Sequence, residues 1–319
     1  MTKSAEMSSE TPVRLPVIDS SKQDLKPGSA DWELVKVQVR QALQEYGCFE
    51  ALFDKVLELG KPLIGALEEL FDLPLQTKTR YVSEKVFRGY YGPKAPLHES
   101  MVIDEANVAE NVEQRLTNIL WPQGNSSFSE TLLSFSSLAS GLEKTIRRMI
   151  LESFGLEKYM DKHMESTNYI LRVMKYEGPH TSEPTIGARA HSDQNMVTLL
   201  HQNEVNGLEI QTKDGEWINV KPSPASFIVM IGESLSVWLN GRLPSPYHRV
   251  MITGNKARYS SGLFATTKGG YKVKVPEELV DEENPLLFKP FDYEEFLEFY
   301  STEAARGALG SGLKAYCSV

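Results

Sequence analysis

The chain has 319 residues, of which 41% are hydrophobic and 24% charged, a composition typical of globular proteins and outside the intrinsically disordered class. Its formal net charge of −9, with no basic stripe, argues against a nucleic-acid-binding protein, because such proteins present cations to phosphates. The sequence has no unbroken run of about 18 apolar residues, so we expect no membrane-spanning helix.

The first fifty residues predict a tail, a strand and a helix. Residues 1–12 are rich in Ser, Thr and Glu without an apolar pattern, which indicates a disordered tail. A short strand is predicted at 15–18. Apolar residues recur at helical spacing over 31–46, with Asp31 in the first turn and Gly47 as the stop, and they predict an amphipathic helix.

The next hundred residues alternate apolar elements with one irregular segment. A strand is predicted at 48–53, and a helix over 57–71 that ends before Pro74. Residues 88–101 are rich in Gly, Pro and Tyr without periodicity, so they predict a loop that could act as a lid. A long helix over 130–154 carries one apolar stripe and is expected to back the rest of the fold.

The C-terminal half is dominated by short apolar runs bounded by turn residues, which is typical of strands in a β-barrel. The predicted strands are 168–176, 197–200, 208–210, 217–220, 227–231, 249–252 and 261–265. Gly178 and Pro179 indicate a loop before His191, and Lys213-Asp214-Gly215 indicates a hairpin. A closing helix is expected at 291–300.

Three residues of this half form a candidate metal site. His191 and Asp193 are two positions apart, so in a strand both side chains would leave the same face, and His248 could complete the set from a distance. Two imidazoles and one carboxylate leave positions open on a six-coordinate ion, which suits redox-active Fe(II). Cys48 and Cys317 are too few for a thiolate zinc site. The same two cysteines, without an apolar leader segment, predict a reducing compartment, by default the cytosol.

With Arg258 and Ser260, these residues carry a family resemblance. The pattern His191-x-Asp193, His248 and Arg258-x-Ser260 resembles that of plant iron(II)/2-oxoglutarate-dependent dioxygenases. The resemblance implies a mainly β fold with flanking helices, whose core is a double-stranded β-helix or jelly roll. It also implies that Arg258 and Ser260 hold the distal carboxylate of 2-oxoglutarate, for which a planar, permanently charged guanidinium is well suited.

Other stretches refine the resemblance. Residues 207–218 and 240–243 are similar to the AOP-like branch of these oxygenases and to deoxypodophyllotoxin synthase. Where the family commonly has Arg-x-Asn-Tyr-Tyr, this chain has Arg172-Val-Met174-Lys-Tyr176. Tyr176 could therefore donate to 2-oxoglutarate, whereas Met174 cannot replace the hydrogen bonds of an asparagine.

The resemblance implies a function and an organisation. We expect a single domain over 13–319, with a helical region at 13–160, a jelly-roll core at 161–275 and a helical segment at 276–319. The expected reaction uses Fe(II), 2-oxoglutarate, O2 and ascorbate as reductant, and it releases succinate and CO2. The substrate would be a small plant specialised metabolite that is hydroxylated, demethylated, desaturated or ring-closed by a monomeric enzyme.

Two other functions stay open on the sequence alone. One is a related non-haem iron oxidase that does not consume 2-oxoglutarate, and the other is a non-catalytic, cupin-like binding barrel. Release of succinate separates both from the main interpretation.

The predicted substrate contacts are aromatic. Tyr90 and Tyr91 of the irregular segment, together with Phe264 at a strand end, are expected to face the substrate at the mouth of the barrel. The alternative is that the two tyrosines only pack the segment onto the barrel. His98 of the same segment could contact the substrate, but a surface histidine is the preferred interpretation.

Overall fold

A computed structural model describes residues 14–22, 25–95, 97–302 and 312–319, without the side chains of 93–95. The predicted tail at 1–12 lies outside the described residues. The helices are α1 (Ala30–Tyr46), α2 (Val56–Asp72), α3 (Leu75–Lys78), α4 (Ala109–Val112), α5 (Asn118–Leu120), α6 (Ser126–Ser153), α7 (Met160–Glu165), α8 (Glu233–Trp238), α9 (Tyr293–Ser301) and α10 (Gly312–Cys317). A π-helical turn joins α4 to α5. In the part of the chain described here, no helix is both long and apolar enough to cross a membrane.

The strands form two main sheets and a small ribbon. They are β1 (Val17–Asp19), β2 (Cys48–Leu52), β3 (Gly89–Ala95), β4 (His98–Ile103), β5 (Thr167–Tyr176), β6 (Thr181–His191), β7 (Val197–Gln202), β8 (Leu208–Gln211), β9 (Trp217–Asn219), β10 (Ser226–Ile231), β11 (His248–Gly254), β12 (Arg258–Thr267), β13 (Lys272–Val273) and β14 (Phe291–Asp292). The larger sheet has the order β1-β2-β10-β7-β12-β5-β4-β3, and the smaller has the order β6-β11-β8-β9. β13 pairs with β14.

Two apolar layers hold these elements together. Between the sheets, Met174 and Met230 of the larger sheet belong to one buried cluster with Ile210 and Val250 of the smaller sheet. On the outer face of the larger sheet, a second cluster includes side chains of α1, α2 and α6, among them Leu142. The larger sheet is therefore a shared wall, which carries helices on one side and faces the smaller sheet on the other.

Local signals explain the elements that match the prediction. Ser29 caps α1 by accepting a hydrogen bond from the Trp32 backbone amide, and Gly47 ends the helix with a φ of 69°. A Cβ on Gly47 would lie 2.4 Å from the Pro244 carbonyl oxygen, so glycine is needed there for close approach as well as for its backbone conformation. The hairpin turn at Gly215 and the long α6 are also present.

Two segments that the sequence predicted to be loops are strands, so those predictions are wrong. Residues 88–101 form most of the β3–β4 hairpin, which extends the larger sheet beside β5. The segment before His191 is β6, which pairs with β11 through several register shifts. Both strands lack an apolar pattern because glycine and proline interrupt β3 and because most of β6 is not buried. The region 13–160 is consequently not only helical, since it supplies four strands to the larger sheet.

Candidate active site

The structure brings together the three predicted metal ligands. His191 is the last residue of β6, Asp193 follows it, and His248 is the first residue of β11, directly opposite His191. The Asp193 Oδ1 atom lies 3.7 Å from His191 Nε2 and 3.8 Å from His248 Nε2. Among the described residues, this is the group of three His, Cys, Asp or Glu residues whose ligand atoms lie within 4.8 Å of one another.

Backbone carbonyls orient both imidazoles. His191 Nδ1 lies 2.8 Å from the Arg189 carbonyl oxygen, and His248 Nδ1 lies 3.3 Å from that of Pro246. An Nδ1–H that donates to a carbonyl leaves Nε2 as the lone-pair nitrogen, and Nε2 is the atom that faces Asp193. Burial lowers the pKa of His248 to about 4 although the Asp193 carboxylate opposes this shift, so His248 is neutral at neutral pH.

Asp193 is positioned by a loop that docks on α8. Its Oδ2 accepts a hydrogen bond of 2.6 Å from the Thr198 hydroxyl, and its backbone carbonyl accepts one of 2.7 Å from the Glu233 amide. A Cβ on Gly232 would lie only 1.9 Å from the Asn195 carbonyl oxygen, so this approach requires glycine. β6 ends at His191, and it is therefore the docked loop, not continued strand alternation, that turns Asp193 toward the histidines.

These side chains line a cavity of about 270 Å3 between the two sheets. At another point of its lining lies Arg258, which is 1% exposed. Its Nη1 donates to Ser260 Oγ at 3.1 Å and its Nη2 to Gln202 Oε1 at 2.7 Å, while the buried Nε has no partner. The recorded partners of this buried cation within the described residues are thus neutral oxygens, which leaves it suited to an anionic guest.

Tyr176 and His98 complete this end of the cavity. The Tyr176 ring lies 5.2 Å from the Arg258 guanidinium and stacks on the His98 ring at 4.6 Å between centroids. The Tyr176 hydroxyl contacts the Met174 sulfur at 3.5 Å, a weak acceptor, so it is available to a better one. The prediction that His98 is a surface residue is wrong, because β4 pairing places it opposite Tyr176 on the cavity side.

The predicted substrate residues separate into two groups. Phe264 lines the cavity, whereas Tyr90 and Tyr91 do not. Tyr90 pairs with Met101, which faces the outer core, and its hydroxyl donates to Glu99 at 2.7 Å. The expectation for Tyr90 is thus corrected by strand alternation, which turns it away from the cavity. Tyr91 is on the edge strand β3, outside the lining.

Comparison with known proteins decides the family. Residues 167–267 match the 2OG-Fe(II) oxygenase superfamily, and residues 15–116 match the N-terminal region of a non-haem dioxygenase in morphine synthesis. The chain is 52% identical over 312 residues to a probable 2-oxoglutarate-dependent dioxygenase, AOP1.2, of Arabidopsis thaliana, and the match covers 96% of both chains. The chain belongs to the 2OG-Fe(II) oxygenase superfamily. Within it, the oxygenase lies in the plant AOP-like branch, as its motifs predicted.

Solved structures confirm the fold of this oxygenase. The 2-oxoglutarate complex of a dioxygenase for auxin oxidation from Arabidopsis thaliana is similar with a TM-score of 0.76 and 26% identity, over 85% of this chain and 99% of the other. The rice dioxygenase for auxin oxidation has a TM-score of 0.79 and 25% identity, over 96% of this chain and 100% of the other. The predicted double-stranded β-helix core is confirmed, and the chain is a 2-oxoglutarate-dependent dioxygenase that uses Fe(II).

Several cavity residues of the oxygenase were not predicted from sequence. Thr198 lines the cavity from β7 and Arg172 lines it from β5, whereas Gln202 of β7 contacts the Arg258 guanidinium. Apart from the match of Arg172 to the family pattern, the sequence signal is strand parity: Arg172, Met174 and Tyr176 alternate with buried apolar residues of β5. Parity shows which residues share a face, but the pairing partners had to be known before that face could be assigned to the cavity.

Proposed function

We propose that His191, Asp193 and His248 hold Fe(II) in this dioxygenase. Two imidazole nitrogens and one carboxylate, whose ligand atoms lie within 4.8 Å of one another, match the ligand preference of that ion and leave coordination positions for co-substrate and O2. When bound, the iron supplies activation of O2 coupled to decarboxylation of 2-oxoglutarate. The chain itself supplies orientation through the carbonyls behind both rings and the Thr198 hydroxyl behind Asp193.

We further propose that Arg258, Ser260 and Tyr176 anchor the distal carboxylate of 2-oxoglutarate. Arg258 is buried without a charged partner among its recorded contacts, Ser260 holds its Nη1, and the nearby Tyr176 hydroxyl has its recorded hydrogen bond to a weak acceptor, the Met174 sulfur. A carboxylate would satisfy the guanidinium in the planar, bidentate geometry it favours. Phe264 is proposed to form part of the wall that contacts the substrate.

The substrate is proposed to be a small specialised metabolite of plants, oxidised by hydroxylation, demethylation, desaturation or ring closure. The cavity supports this, since most of its lining is apolar and its volume of about 270 Å3 suits a small molecule. We also propose a single domain over 13–319 that acts as a monomer, because one chain supplies every residue of the site. A cytosolic location is supported by two buried, unpaired cysteines.

One observation carries the proposal: a convergent His-Asp-His set shares a cavity with a buried arginine that has no acidic partner in its recorded contacts. The test is Fe(II) titration under argon of the wild type and of His191→Ala, Asp193→Ala and His248→Ala. Each variant is expected to lose most of its Fe(II) affinity. Unchanged affinity in all three would refute the assignment. Succinate release from 2-oxoglutarate by the wild type separates this function from that of a binding barrel.

A further inference from the structure

A second arginine in the cavity, Arg172, has no role in the proposed iron and 2-oxoglutarate sites. It follows Ile170 and precedes Met174 on the face of β5 that lines the cavity. Its Nη2 donates to Ser100 Oγ at 3.2 Å, and its buried Nε has no partner. The recorded hydrogen bond of Arg172 is thus to a neutral hydroxyl, as for Arg258, although the two lie at different levels of the cavity.

Strand pairing separates the two arginines. Arg258 is opposite Tyr176, whereas Arg172 is opposite Gly262, four residues along β5. Four residues of strand span ~13 Å, so Arg172 is not a second ligand for the carboxylate held at Arg258. A Cβ on Gly262 would lie 2.7 Å from the Phe264 ring, so that ring covers the glycine beside the position of Arg172. The cavity wall thus places an aromatic surface next to a cation.

The cations around this cavity differ in how they are neutralised. Arg88, also in the lining, has Asp104 at 3.3 Å, and on the outer face of the same sheet Lys175 has Glu177 at 2.8 Å. No ion pair is recorded for Arg172 among the described residues. Burial, with Arg172 and Arg258 nearby, lowers the pKa of His98 to about 4, so this neighbour is neutral. It therefore neither repels Arg172 nor neutralises its charge.

Charge balance in the loaded site leaves Arg172 uncompensated. The two positive charges of Fe(II) and the one of Arg258 are matched by dianionic 2-oxoglutarate and Asp193. A partly buried cation without an anion is unfavourable, and binding of one more negative charge would relieve it. The remaining ligand of the cavity, the substrate, is the species that can bring that charge.

Resting on the proposed function, we propose that the substrate is a small apolar acid, whose carboxylate binds Arg172 and whose apolar body lies against Phe264. A carboxylate fits because the guanidinium can present two parallel N–H groups to it. The inference narrows the substrate from metabolites in general to those that carry one negative charge at neutral pH.

The test uses protein loaded with Fe(II) and 2-oxoglutarate under argon, titrated calorimetrically with phenylacetate, cinnamate and decanoate and with the primary amide of each. At least one acid is expected to bind the wild type about tenfold or more tightly than its amide. Arg172→Gln is expected to remove that preference while leaving amide and 2-oxoglutarate affinities unchanged. The preference of Arg172→Lys for acids should lie between those of the wild type and Arg172→Gln, since lysine keeps the charge and loses the planar guanidinium.

Arg88→Gln is the matched control, since it removes a lining cation that Asp104 already pairs, and it is expected to keep the preference for acids. The inference is overturned if no acid binds the wild type better than its amide, or if the preference survives in Arg172→Gln. It is also overturned if Arg172→Gln weakens 2-oxoglutarate binding, because Arg172 would then serve the co-substrate. A wild type that binds neither Fe(II) nor 2-oxoglutarate would instead refute the proposed function itself.

Discussion

At the scale of single residues, the site depends on groups that do not themselves reach the metal position. Thr198 holds Asp193 Oδ2 at 2.6 Å and also contacts the Asn195 amide nitrogen at 3.2 Å, so one hydroxyl links the carboxylate to the loop that carries it. Because both groups are buried, a lost hydrogen bond cannot be replaced by bulk water.

We predict that Thr198→Val lowers Fe(II) affinity by roughly tenfold to a hundredfold, because the carboxylate loses the donor that orients it. Anaerobic Fe(II) titration measures this. Thr145→Val is the control, since Thr145 is a partly exposed residue of α6 and bonds only to the Gly141 carbonyl oxygen in its recorded contacts. Equal Fe(II) affinity of Thr198→Val and wild type would show that Asp193 does not depend on this hydroxyl.

Arg258 gives the second prediction at this scale. Arg258→Gln would remove the proposed charge-assisted pair with the carboxylate, which should contribute roughly 2–4 kcal/mol, so the KM for 2-oxoglutarate should rise about thirtyfold to nearly a thousandfold. Succinate formation at varied 2-oxoglutarate concentrations gives the KM. Arg148→Gln, which removes a half-exposed arginine of α6 paired with Glu152, should leave it unchanged. A normal KM in Arg258→Gln would place the co-substrate elsewhere.

At the scale of elements, the β3–β4 hairpin is a structural part of the sheet. The Tyr90 hydroxyl and the Lys78 ammonium group both bind Glu99, and the ammonium group also donates to the Phe71 carbonyl oxygen. This network ties the hairpin to the end of α2 and to α3. A lid that opened here would have to break it.

We therefore predict that Tyr90→Phe lowers the free energy of unfolding by about 1–2 kcal/mol and leaves the KM for 2-oxoglutarate unchanged. Urea denaturation followed by circular dichroism, beside the succinate assay, measures both. Phe264→Ala provides the contrast, because it removes a ring of the cavity wall and should alter substrate affinity or product ratio. The account of the hairpin is wrong if Tyr90→Phe changes product ratio at unchanged stability.

The sequence predicted elements well where hydrophobic periodicity and burial agree. β7 and β10 are buried along their whole length, and α6 buries one stripe, so their patterns are unambiguous. Prediction failed for β3, where glycine and proline suggest a loop, and for β6, whose exposed residues give no pattern. The three proposed metal ligands could be predicted because they flank recognisable strands. One sequence does not reveal the pairing of β6 with β11 or the docking of the Asp193 loop on α8, and these bring the three residues together.

At the scale of the whole molecule, buried histidines couple folding to pH. Burial lowers the pKa of His163 to about 3, with Arg147 adding to this, and lowers those of His98 and His248 to about 4. These folded-state pKa values lie below the ordinary value of about 6.5, so the unfolded chain binds more protons between about pH 6.5 and pH 3. Stability is consequently full above that window and is lost as the pH falls through it.

We predict that the free energy of unfolding of the metal-free protein falls between about pH 7 and pH 4, by up to about 1.4 kcal/mol per pH unit for each such histidine. His163→Gln should reduce the slope of the free energy of unfolding against pH by close to the contribution of one proton, about 1.4 kcal/mol per pH unit. The reason is that His163 is 2% exposed and its Nε2 has no partner. Denaturant titrations across this range measure the slope. His180→Gln, at an exposed position, is the control, and an equal slope in His163→Gln and wild type would contradict the prediction.

The two-sided use of β5 has a consequence for how such proteins diverge. Leu171 and Val173 pack against the helical layer, whereas Ile170, Arg172 and Met174 line the cavity. After gene duplication, selection can therefore act on one side of this strand while the other preserves the fold. On the proposed role of Arg172, a paralogue with a neutral residue at this position would keep the fold and the iron and 2-oxoglutarate sites. It would lose the preference for acidic substrates.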